Sequence, residues 1–291
     1  MALATNQLAY WKLDSNSTDS IGSRNGTDTD ITYSSGNGKV NNGAGFNGTT
    51  SVIALPDDAW GIASGITIAA WIKTSASGAI QAILSRDAST ANPRCWQFRV
   101  NVTTGVLQFV RFDSSNTLIE VVSSGAAVNT GAWVHVAVTF DTTNGTKLYI
   151  NGANDGSSAN TTALNNNTGL TPKIGADNTN AGALQNYFSG AIDEVSVWTR
   201  ALTSTEIGYL YNNGVGQTYV LSSPSLSPSA SLSPSSSASA SASKSLSPSA
   251  SQSPSSSVSA SASASASPSL SPSASASASI SPSLSPSASI S

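Results

Sequence analysis

Ionisable side chains are scarce in this 291-residue chain: 9% of its residues are charged, with twelve Lys plus Arg against fifteen Asp plus Glu. The basic residues form no patch, which excludes the electrostatic footprint of a nucleic-acid-binding surface. No apolar run is long enough to cross a bilayer as a helix. The N-terminus, Met-Ala-Leu-Ala-Thr-Asn, lacks the basic and apolar regions of a secretory signal. Export by another route, loss of an earlier signal, or release by lysis as part of a virion remain open. The lone Cys95 forms no intrachain disulfide and gives no metal-ligand spacing; beside Trp96 in a strand-like run it reads as a buried thiol. The single histidine, His135, lies in mid-strand and reads as packed rather than catalytic. Glutamate occurs only at 120, 194 and 206.

What is abundant divides the chain near residue 220. From 223 to 291 every odd position is Ser, and the even positions hold mostly Ala, Pro, Leu, Ile or Val. Side chains this small cannot offset the entropy of ordering. Nine prolines, all at even positions, favour extended or coil conformations. Fully extended, this tail reaches roughly 200 Å at about 3.1 Å per residue. Ser on one face and Ala on the other is also a silk-like strand pattern, although proline interrupts every run. The sequence therefore predicts a folded domain over 1–220 and a disordered or extended low-complexity stalk over 221–291.

The first 220 residues predict an all-β fold. Ile66, Ile68, Ala70 and Ile72 alternate with Thr67, Ala69, Trp71 and Lys73, and Val134, Val136, Val138 and Phe140 with Trp133, His135, Ala137 and Thr139. Period two places alternate side chains on opposite sheet faces, so each strand has one apolar side to bury. Further strands are expected at 8–13, 51–55, 80–85, 95–102, 106–112, 118–123, 146–151, 172–175 and 190–198. Asn151-Gly152 supplies the positive φ angles of a type I′ hairpin turn. One helix is expected at 204–213. Thr203 and Glu206 form a capping box before it, Gly214 is its stop, and it should cover one end of the sandwich.

Ala9-Tyr-Trp-Lys-Leu-Asp14, Gly43-Ala-Gly-Phe-Asn-Gly48, Ile66–Lys73, Trp133–Asp141, Leu148-Tyr-Ile-Asn-Gly152 and Gly190-Ala-Ile-Asp-Glu-Val-Ser-Val-Trp198 occur in this order ahead of the capped helix. Together they resemble the laminin-G-like jelly-roll domains of the concanavalin A-like lectin/glucanase superfamily, over about residues 8–213. The resemblance implies a two-sheet antiparallel jelly-roll sandwich with one short C-terminal helix. It also implies a structural calcium ion, held by Asp193 with Asp19, Asn25 and the carbonyl of Gly22. By parity Asp193 should point inward with Val195 and Val197, while Glu194 faces the other way. Hard oxygen donors of this kind suit calcium. The alternative is an Asp193 that accepts hydrogen bonds from loop amides.

The fold hosts lectins, adhesion modules and hydrolases, so function must come from the site. No Glu-x-Asp-x-x-Glu strand motif of the laminarinase kind is present, and a glycosidase needs two spaced carboxyl groups. Six Trp invite a sugar-stacking reading. Trp11, Trp71, Trp133 and Trp198 fall at family strand positions and are expected in the core. Trp60, in a loop after Asp57 and Asp58, is the expected exposed, ligand-binding aromatic. These observations point to a non-catalytic recognition or adhesion module. It would bind surface glycans at a microbial cell surface or on a virus particle, outside the cell, with no nucleic-acid partner. A purely structural decoration domain and an unrecognised polysaccharide hydrolase are the alternatives.

Overall fold

The computed structural model describes residues 3–87, 94–101, 103–166, 169–178 and 183–218. The stalk expected at 221–291 lies outside them.

In chain order the strands are β1 (Gln7–Trp11), β2 (Thr27–Thr29), β3 (Thr32–Ser34), β4 (Gly43–Asn47), β5 (Val52–Ala54), β6 (Gly65–Lys73), β7 (Gln81–Arg86), β8 (Trp96–Val100) and β9 (Val106–Phe112). There follow β10 (Leu118–Ala127), β11 (Trp133–Asp141), β12 (Gly145–Ile150), β13 (Ala153–Ser158), β14 (Lys173–Ile174), β15 (Asp177–Asn178), β16 (Leu184–Gln185) and β17 (Ser189–Trp198), then helix α1 (Ser204–Tyr211). The larger sheet runs β13-β12-β11-β6-β17-β4-β3, with β1 also pairing β17; the smaller runs β10-β9-β8-β7-β14-β5-β2; β15 and β16 form a ribbon. Among the described residues the pairings between these strands are antiparallel. This is the expected all-β, two-sheet sandwich with one short C-terminal helix.

The two most regular alternating stretches are neighbours. In β6 and β11, Ile68 pairs with Val138 and Ile72 with Val134, and these side chains enter the core between the sheets. Trp96, Phe98 and Phe109 meet them from the smaller sheet. Each large side chain buried this way contributes on the order of 1.5–3 kcal/mol of hydrophobic stabilisation. Asn151 (φ 50°) and Gly152 (φ 81°) make the expected hairpin between β12 and β13. Cys95 is fully buried.

The helix is placed differently from expectation. It lies over the outer face of the larger sheet, where Ile207, Leu210 and Leu202 pack on Ala69, Ala137, Tyr149 and Trp198. Both faces of β6 are consequently buried as far as Ile72. The capping box is formed: Thr203 accepts from the Glu206 amide and Glu206 from the Thr203 amide. The helix stops at Asn212, which takes the left-handed conformation (φ 46°), two residues before the expected Gly214.

Candidate ligand-binding groove

The outer face of the larger sheet is only partly covered. Beyond the helix, β3, β4, β17 and β6 present a row of outward positions. Thr32 pairs with Gly45, Gly45 with Ala191, and Ala191 with Lys73; on the next strand Trp133 pairs with Lys73. Directly paired residues of antiparallel strands share a face, so this row is continuous. A second row lies two residues along, where Asn47 pairs with Ser189, flanked by Asp30 and Ser75. Apart from Trp133, which lies beside Lys73, the residues of these rows line an open groove of about 580 Å³. Residues 36 and 37 wall one side, and Ser75, Ala76 and Gly131 close the far end.

Small residues make this groove. Gly45 and Ala191 form its floor. A Cβ on Gly45 would lie 2.3 Å from Asn37 Nδ2 and 2.6 Å from Thr32 Oγ1, so the wall packs directly on the glycine. Asn47 Oδ1 is taken up by the amides of Thr49, Thr50 and Ser51, which fixes the loop after β4. The groove spans three inter-strand steps from β3 to β6, about 14 Å at roughly 4.8 Å each. Its charged residues, Asp30 and Lys73, stand at opposite ends.

The residues expected to hold calcium do not form one donor set. Asp19 Oδ1 accepts from the amides of Tyr10 (3.0 Å) and Ile21 (3.1 Å), and Oδ2 from that of Arg24 (3.1 Å). Asn25 Oδ1 accepts from the Asp19 amide at 3.0 Å. Gly22 is needed for closeness, because a Cβ there would meet Asp19 Oδ2 at 2.6 Å. Asp193 takes another set of amides, from Lys39 (2.8 Å), Val40 (2.9 Å) and Glu194 (3.0 Å). Strand β1 separates the two, since Trp11 bridges Asp19 on one side and pairs with β17 on the other. Amide N–H groups point their positive ends at these oxygens, where a cation would be repelled. Among the described residues no three His, Cys, Asp or Glu side chains are grouped to share a metal ion. The set therefore does not fit calcium, and Asp193 follows the amide-bonded alternative.

Parity also fails at Asp193, for a physical reason. The register of β17 against β6 shifts between Asp193 and Ser196, and Glu194 takes φ 53°. This bulge sends Ile192 and Val195 to the core but leaves both Asp193 and Glu194 on the outer side. Asp193 is fully buried there, and desolvation pushes its carboxyl up to about 7. Glu194 accepts the Tyr10 hydroxyl hydrogen bond, and burial, with Asp193 adding to it, pushes its carboxyl up to about 8. Glu194, His135 and Ser196 line a cavity of about 10 Å³ beneath α1. Burial drives His135 down to about 3, so its ring is neutral, held edge-on against Trp71 at 5.2 Å.

Trp60 is not exposed. Only 1% of it is accessible, and it packs between Trp11 (6.5 Å) and Trp96 (5.9 Å) with the Arg86 guanidinium 5.7 Å from its ring. A loop beside two acids reads as surface, but here it tucks Leu55, Trp60 and Ile62 into the core. Trp133, expected in the core, is instead partly exposed. The signal was present: Trp133 alternates out of phase with Val134, Val136 and Val138 and shares a face with Lys73. The remaining glutamates serve structure. Glu120 is bound by Arg111 and Thr146, and Glu206 by Arg200 and the helix cap.

A laminin-G family model described as the concanavalin A-like lectin/glucanases superfamily matches residues 47–208. A human protein, adhesion G-protein coupled receptor D1, is 33% identical over 106 residues, which are 35% of this chain and 12% of the receptor. Among solved structures, domain 4 of the extracellular GH43 arabinanase AbnA from Geobacillus stearothermophilus, in complex with arabinotriose, superposes with a TM-score of 0.53 at 22% identity. That match covers 72% of this chain and 98% of that one. The binding domain of Paraclostridial Mosquitocidal Protein 1 gives 0.54 at 16% identity, over 72% of this chain and 52% of that one. At these identities the likeness is one of fold.

Proposed function

The chain belongs to the concanavalin A-like lectin/glucanases superfamily, and from that premise we propose that it is a non-catalytic recognition module that binds carbohydrate in the groove of the larger sheet. The observation that carries this reading is the groove itself. It is open, floored by small residues and edged by hydroxyl, amide and charged side chains, and the partly exposed Trp133 is paired with its Lys73 just beyond the lining. Such a surface suits sugars, which offer hydroxyls for hydrogen bonds and an apolar ring face for an indole. The arabinotriose held by the arabinanase domain supports the ligand class. Cleavage finds no support, because a glycosidase needs two carboxyl groups across the bond. Asp30 is the one carboxylate among the described residues lining the groove.

An open groove gives modest affinity, about −4 to −8 kcal/mol per site, millimolar to micromolar. Attachment then relies on several copies acting together. The Ser-rich segment beyond residue 220 would serve this by holding domains away from the surface that bears them, at a microbial cell exterior or on a virus particle.

The test is a glycan screen with the domain displayed multivalently, repeated with Ala191→Tyr, which fills the groove floor. Binding that is lost in the variant supports the reading. A screen without hits would leave a structural decoration domain, and release of reducing sugar would make the protein a hydrolase.

A further inference from the structure

The geometry points to the β6 end of the groove as a seat for a carboxylate-bearing sugar, with Lys73 meeting the carboxylate and Trp133, paired beside it, meeting the ring. This rests on the carbohydrate reading above and adds the ligand's charge class. Lys73 lines the groove with an exposed side chain, and Trp133 pairs with it across the sheet. Trp71 lies two residues along the same strand on the same face, about 7 Å away. The Lys39 ammonium stands over its ring, 4.7 Å from the centroid. Among the described residues Lys73 is the one cation lining the groove, in a chain whose net charge is −3.

The Lys39 charge is engaged by the Trp71 ring, whereas Lys73 makes no ion pair among the described residues. The ion pairs among those residues all use arginine as the cation. Asp30, at the β3 end, is three inter-strand steps from Lys73, about 14 Å. That exceeds the Debye length of about 8 Å at physiological salt. Asp193, on the same face as Trp71, is fully buried with its oxygens turned to backbone amides. An incoming carboxylate is the partner this end lacks, and the indole beside it gives the sugar ring an apolar face.

Uronic and sialic acids share this chemistry, so the experiment carries both. Carboxylated glycans of each kind are arrayed beside their own methyl esters, together with neutral glycans, and probed with the multivalent full chain. The expected result is binding to carboxylated members that drops by up to roughly fivefold on esterification, the scale of one partly exposed ion pair, and weakens with salt. In Lys73→Gln the ratio of acid to ester should fall toward one, while Lys73→Arg keeps it; equal melting temperatures establish that both variants fold. Hits confined to uronates or to sialates would identify the source. Binding indifferent to esterification, or hits among neutral glycans alone, would overturn the inference and leave the carbohydrate reading standing. No hits at all would remove both.

Discussion

Trp60 fills space between Trp11 and Trp96, so its removal leaves a cavity that the surrounding strands cannot close. Trp60→Ala is expected to cost about 3–5 kcal/mol, read as a lower denaturation midpoint. A fall in glycan binding without loss of stability would return Trp60 to the ligand. Trp133→Ala should do the reverse, weakening binding with little change in stability. Glu194 supplies a second test. Its carboxyl titrates near 8 in the fold, and that of Asp193 near 7. The unfolded chain releases both protons near pH 4. Between those values the native state holds more protons, so stability falls as pH rises, and it levels off above about 8. His135 opposes this only between about 3 and 6.5, where the unfolded chain alone is protonated. From pH 6.5 to 8 the carboxyls act unopposed. The melting temperature should drop over that window, and Glu194→Gln should reduce the drop. A flat profile in both proteins would contradict the burial argument.

Local pattern determines some elements and not others. Strands β6 and β11 are legible because every second residue is apolar, and the β12–β13 hairpin because Asn-Gly takes positive φ cheaply. Helix α1 is legible from its capping box. Thr203→Ala should therefore cost about 1 kcal/mol, visible in thermal melts; an unchanged melt would mean that packing on the sheet, not the cap, holds the helix. The bulge in β17 was not legible. One inserted residue changes no composition, yet it turned Asp193 to the other face and dissolved the expected calcium set. The surface that helix α1 covers is not legible, since its apolar stripe says that it packs without saying where. Nothing local marks the groove, because pairing assembles it from Thr32, Gly45, Lys73 and Ala191, which lie far apart in the chain.

At the scale of the molecule, every buried residue of the two apolar clusters lies between Leu3 and Leu210. A chain ending at residue 220 should then melt within a few degrees of the full protein, as calorimetry can establish. An insoluble or molten product would mean that the Ser-rich segment contributes to the fold. The central claim is that this sandwich binds carbohydrate in the groove and does not cut it. The most direct measurement is the binding of multivalent wild-type and Ala191→Tyr domains to one glycan array, with reducing ends assayed in the same wells. The account predicts retention of glycans by the wild type alone and no new reducing ends. Equal retention by both proteins, or new reducing ends from the wild type, would contradict it.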